Sequence, residues 1–68
     1  MDEYMEGIKT KKHNYNIHRV YYDLKIDGVK WDYIIECTDK YGEQVDLDYT
    51  HYLKDARIVQ KMMINIYK

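Results

Sequence analysis

The chain has 68 residues and a formal net charge of −1, enough for one domain near the lower limit at which a core holds a fold unaided. That charge removes bulk attraction to nucleic acid or membrane as a basis for function. A single cysteine excludes an internal disulfide, no zinc-type ligand spacing occurs, and no apolar stretch reaches membrane-spanning length.

Residues 1–16 (MDEYMEGIKTKKHNYN) show no clean period. Tyr4, Met5 and Ile8 form one apolar helical turn that Gly7 weakens. The run Lys9, Lys11, Lys12, His13 reads as a solvated, mobile segment, with a short helix or an added edge strand as the alternatives. The acidic start Met1-Asp2-Glu3 lacks an apolar signal-peptide core, so a soluble protein of a reducing, cytoplasmic compartment is expected.

Residues 17–68 read as a single small domain. Asp27-Gly28 between alternating apolar runs is the mark of a two-residue type I′ turn, because both central positions need positive φ. It joins a strand over about 17–26 to one over about 29–38. It also pairs Ile26 with Val29, Leu24 with Trp31, Tyr22 with Tyr33 and Val20 with Ile35 on one apolar face. Asp39 followed three residues later by Gly42 predicts a second hairpin, with a type I turn and a left-handed glycine. The third strand, about 43–49, then sets Val45 against Cys37, Leu47 against Ile35 and Tyr49 against Tyr33. A one-residue slip would invert every side chain, so the two turns together specify a three-stranded antiparallel meander with the second strand central.

Beyond Tyr49 the period lengthens. Tyr52, Ala56, Val59, Met63 and Ile66 share one helical stripe, flanked by Leu53, Met62 and Tyr67, with Lys54, Arg57, Lys61, Asn65 and Lys68 opposite. Thr50 is the expected N-cap. The strand-like composition of 58–59 and 64–67 leaves a fourth strand as the alternative to a helix over 53–67. The fold class is therefore α+β: a three-stranded antiparallel meander covered on one face by a C-terminal helix, with a poorly defined N-terminal segment. The expected core is Val20, Leu24, Trp31, Ile35, Leu47, Ala56, Val59 and Met63.

This register leaves an uncovered face rich in acids. Asp23 lies across from Asp32, Glu36 across from Asp46, and Asp48 beside Ile34. Like charges opposed in a sheet cost about 0.2–1 kcal/mol per pair. A solvated face offset by Arg19, Lys25 and Lys30 is the plain reading. The functional reading is an acidic docking surface made by Tyr21, Asp23, Asp32, Ile34, Glu36, Asp46 and Asp48, with Tyr21 and Ile34 as apolar anchors.

The same acids make a poor cation site, since a flat strand lacks the curved oxygen-rich loop that hard cations take. Cys37 and His18 are expected to oppose each other on the core face, where an unpaired cysteine is a small hydrophobe and no third group orients the pair. The expectation is a binding protein, not an enzyme, with no metal and no cofactor. Lysine outnumbers arginine nine to two and Ile, Tyr and Asn are abundant, the usage of AT-rich coding in low-GC bacteria, their phages and their mobile elements. The leading expectation is a small intracellular protein that inhibits or modulates a larger host protein presenting a basic surface, acting as a nucleic-acid mimic. A homodimer would enlarge so small a core. The alternative is a nucleic-acid-binding or transcription-regulating module using Lys9, Lys11, Lys12, Lys54, Arg57 and Lys61.

Overall fold

The computed structural model describes residues 2–68; Met1 lies outside the described residues. In chain order it forms β1 (Asp2–Lys9), β2 (His13–Ile26), β3 (Val29–Asp39), β4 (Gln44–Thr50) and α1 (Leu53–Tyr67). The strands make one antiparallel sheet in the order β1-β2-β3-β4. The helix packs across β2, β3 and β4 on one face. The class is α+β, as the pattern predicts, but with four strands instead of three. No helix among the described residues is long and apolar enough to cross a membrane.

The fourth strand comes from the segment expected to be mobile. β2 begins at His13 instead of near Ile17. Asn14, Asn16 and His18 alternate there with Tyr15 and Ile17, a period-2 pattern that the low strand preference of asparagine disguises. Once β2 is that long, residues 2–9 add to it as an edge strand. Thr10 closes the turn: its N–H donates to the His13 carbonyl at 2.9 Å, and its hydroxyl accepts from the His13 N–H at 3.2 Å.

Both hairpin turns form as expected. Asp27 and Gly28 take φ of 56° and 77°, and Gly42 takes 85°, the left-handed region that glycine enters without steric cost. The Asp39 carboxylate accepts from the N–H groups of Tyr41 and Glu43 at 2.8 and 3.0 Å.

Away from the turns the register departs from the expected one. Ile26–Val29 and Leu24–Trp31 pair as predicted, but residues 20–23 of β2 span the interval that Asp32 alone covers on β3. Beyond this bulge Arg19 faces Tyr33, Ile17 faces Ile35 and Tyr15 faces Cys37. The excess is an odd number of residues, so the faces exchange: Val20 no longer opposes Ile35, and Tyr22 no longer opposes Tyr33. In β4 a single-residue bulge at Val45 has the same effect, bringing Asp46 opposite Cys37, Leu47 opposite Glu36 and Asp48 opposite Ile35. β1 pairs with β2 only as far as Val20, and β4 with β3 only as far as Tyr33. The tip of the β2–β3 hairpin therefore extends past both neighbours as a two-stranded arm.

The core is built from Tyr15, Ile17, Ile35, Cys37, Ala56 and Met63, bordered by Met5, Tyr33, Leu53, Val59, Ile64 and Tyr67. Val20 is also buried. Of the other expected core residues, Leu24, Trp31 and Leu47 are only half-buried. Trp31 instead stacks on His51 at 4.7 Å with 19° between the rings, at the root of the arm. On α1 the buried stripe holds Gln60 in place of Ile66 and Tyr52, which are exposed. The Gln60 side-chain amide donates to the Tyr15 carbonyl at 2.8 Å. Thr50 is not the N-cap; that position is Tyr52, and the Thr50 hydroxyl donates to its carbonyl at 3.1 Å.

Cys37 is fully buried, and burial, followed by the charges of Asp46 and Asp39, raises its thiol pKa. The thiolate is the reactive form. Cys37 in the folded protein is therefore expected to resist alkylation by iodoacetamide, with labelling that tracks global unfolding as urea is added. Fast labelling without urea would place the thiol outside the core.

Candidate interaction face of the sheet

Residues directly opposite in antiparallel strands project to the same side. Because Tyr15, Ile17, Ile35 and Cys37 point to α1, the residues alternating with them point away from it. Three cross-sheet rows result. The first is Tyr4–His18–Ile34–Tyr49, one residue from each strand. The second is Gly7–Asn16–Glu36–Leu47, and the third is Lys9–Asn14–Thr38–Gln44. The Tyr4 and His18 rings meet edge-on at 5.9 Å, and His18 Nε2 lies 3.9 Å from the Glu36 carboxylate. No described element covers these rows.

Gly7 shapes the face locally. A Cβ there would come within 2.4 Å of Asn16 Oδ1 and 2.6 Å of Tyr4 Oη. The tyrosine and asparagine therefore lie over the space a side chain would fill, and the Tyr4 ring is held down along the sheet. The first row is apolar and aromatic along its length, and the second adds Leu47 beside one carboxylate. No cavity opens among the described residues, so the face offers a surface and not a cleft.

The seven residues expected to form an acidic face do not come together. Ile34 and Glu36 lie on the uncovered face as expected. Tyr21, Asp23 and Asp32 belong to the arm and its root: the Tyr21 ring lies 5.6 Å from the Arg19 guanidinium, and the Asp23 carboxylate is 3.0 Å from Lys30. The Val45 bulge turns Asp46 and Asp48 to the helix side of the sheet. The Asp46 carboxylate accepts the Tyr67 hydroxyl at 3.0 Å and the Leu47 N–H at 2.8 Å, and Asp48 accepts the Tyr49 N–H at 2.8 Å. With Glu36 and Asp46 on opposite faces, the carboxylates considered for a cation do not converge. Likewise His18 lies on the uncovered face and Cys37 in the core, so that pair is not opposed.

The structure brings forward Tyr4, His18, Tyr49 and Leu47, none of them expected as site residues. The signal for His18 was its alternation with Ile17; for Tyr49 and Leu47 there was none once Val45 is counted as a regular strand residue. No protein-family model, curated protein or solved structure matches the chain.

Proposed function

We propose that this chain is a small binding module that docks on a larger protein through the uncovered sheet face, modulating that partner in the way that short proteins of phages and mobile elements act on host machinery. The observation that carries the reading is the row Tyr4–His18–Ile34–Tyr49, which crosses all four strands on the one sheet face that the helix leaves bare. Large apolar and aromatic side chains in a polar surround are where interface energy concentrates. Tyr4, 58% exposed, and Ile34 are the anchors. Glu36 on the face and Asp32 at the root of the arm favour a partner with a basic surface, chiefly by steering its approach, whereas Asp23 is already paired with Lys30. Asp46 and Asp48, on the other side of the sheet, do not take part.

Affinity capture from the source cells tests this with wild type, Ile34→Asp and an Asp46→Lys/Asp48→Lys double variant side by side. A buried anchor lost at an interface costs about 2 kcal/mol or more, at least a thirtyfold loss of affinity. The Ile34→Asp variant is expected to lose the partner while remaining folded, and the double variant to retain it. Equal capture by wild type and Ile34→Asp would refute docking through this face.

A further inference from the structure

A second surface lies at the end of the sheet that carries the β1–β2 and β3–β4 turns. The pairing of His13 with Asp39 places the two turns side by side. The helix finishes at the same end, where the Tyr67 ring lies 5.8 Å from that of His13 and its hydroxyl bonds Asp46. Three separate elements thus deliver lysines to one end of the molecule: Lys9, Lys11 and Lys12 from the first turn, Lys40 from the second and Lys68 from the end of the helix. All five are exposed. The ion pairs among the described residues are His18–Glu36, Lys30–Asp23 and Arg57–Glu6, so none of these lysines is neutralised by a partner.

Three side-chain carboxylates share this end: Asp39, Glu43 and Asp46. Asp39 is committed to the turn N–H groups and Asp46 to Tyr67 and Leu47. The balance at this end is positive in a chain whose net charge is −1. Between the lysines, at the tip of the second turn, stands Tyr41, 79% exposed, with Lys40 Nζ 5.2 Å from the centre of its ring. The other face of that ring is open.

We infer that this end binds single-stranded nucleic acid, the lysines contacting successive phosphates and Tyr41 stacking under a base. An exposed aromatic ring set among cations is the combination that holds unpaired strands, because every base offers a π-face and every linkage a charge. A lipid headgroup would use the lysines alone. Arg57, held by Glu6, and Lys54, whose ammonium lies over the Tyr52 ring at the other end of α1, are not part of this surface. The surface adjoins the docking face at Lys9 but shares no residue with the row Tyr4–His18–Ile34–Tyr49, so the two are tested independently.

Fluorescence anisotropy of a labelled single-stranded oligonucleotide of about 16 nucleotides tests this between about 50 and 200 mM salt. Five phosphate contacts predict a slope of log K against log salt of about −3 to −4 for a single strand. The Lys11→Glu/Lys12→Glu variant is expected to bind at least tenfold more weakly with a shallower slope. Tyr41→Ala is expected to lose at least fivefold with the slope unchanged. Lys54→Glu and Ile34→Asp are expected to bind as wild type does, with circular dichroism confirming that every variant is folded. No binding at the lowest salt, or equal binding by the Lys11→Glu/Lys12→Glu variant, would overturn the inference. So would equally tight binding to phosphatidylserine vesicles with no dependence on Tyr41, which would assign the lysines to an anionic membrane.

Discussion

Ile35→Ala is expected to cost about 2–5 kcal/mol, against a total stability of about 3–10 kcal/mol for a chain of this length. Ile35 is fully buried in the central strand β3, opposite Ile17 on one side and Asp48 on the other. Truncating it would open a cavity in the cluster it forms with Ile17, Ala56 and Met63. Thermal unfolding followed by circular dichroism would read a fall in Tm of at least about 8 °C, at roughly 4–8 °C per kcal/mol. Ile34→Ala, one position earlier in the sequence, points to the uncovered face and is expected to cost less than about 1 kcal/mol. Equal losses at the two positions would mean that the sheet is covered on both sides or that the register is wrong.

Tyr15→Ala is expected to be as damaging, at about 3–5 kcal/mol, whereas Tyr15→Phe is expected to leave stability unchanged or to raise it. Tyr15 is wholly buried, and its hydroxyl forms no well-made hydrogen bond. The Thr10 side chain is near enough to offset part of the effect, yet burial, and after it the neighbouring Cys37, still raises the phenol pKa. An orphaned buried hydroxyl costs about 1–3 kcal/mol of desolvation, which phenylalanine, absent from this chain, would relieve. The sign of the pH dependence follows from the direction of the shifts. With Tyr15 and Cys37 both raised in the folded state, stability is fully present below their ordinary values of 10.0 and 9.0. It falls as the pH rises through them, because the unfolded chain gives up those protons first. Urea unfolding between neutral pH and about pH 11 should therefore show an alkaline loss that Tyr15→Phe reduces. A loss above about 1 kcal/mol for Tyr15→Phe at neutral pH would show that the hydroxyl is bonded after all.

The parts of this fold legible in the sequence are those fixed within a few residues. Asp27-Gly28 specifies its turn because its backbone angles exclude most other residues. The Asp39–Gly42 turn is specified by a carboxylate that bonds the loop it begins. The pair Leu24–Trp31 follows directly from the first turn. What lay beyond reach was set by contacts distant in sequence. Residues 20–23 (Val-Tyr-Tyr-Asp) have no apolar–polar alternation to hold a register, so burial of Tyr15 and Ile17 under the helix decides how the strand runs. The Val45 bulge goes with an Asp46 carboxylate that meets a tyrosine 21 positions away. The edge strand β1 is linked to the helix by the bidentate contact of Arg57 with Glu6, at 2.8 and 3.1 Å. The candidate face inherits this division. Ile34 and Glu36, on the central strand, point outward in either register, whereas the side to which Asp46 and Asp48 turn depends on a single bulged residue.

The two carboxylates that left the expected face have a consequence for how copies of the chain behave when crowded together. A sheet that is not closed into a barrel ends in strands whose free N–H groups invite another chain to add on, the first step toward cross-β aggregates. β4 is such a strand, and Val45, Leu47 and Tyr49 give it the composition that stacks readily. Asp46 and Asp48 each take the N–H group of the next residue, so an incoming strand would find those donors already engaged and two negative charges beside them. Both features disfavour edge-to-edge pairing along β4.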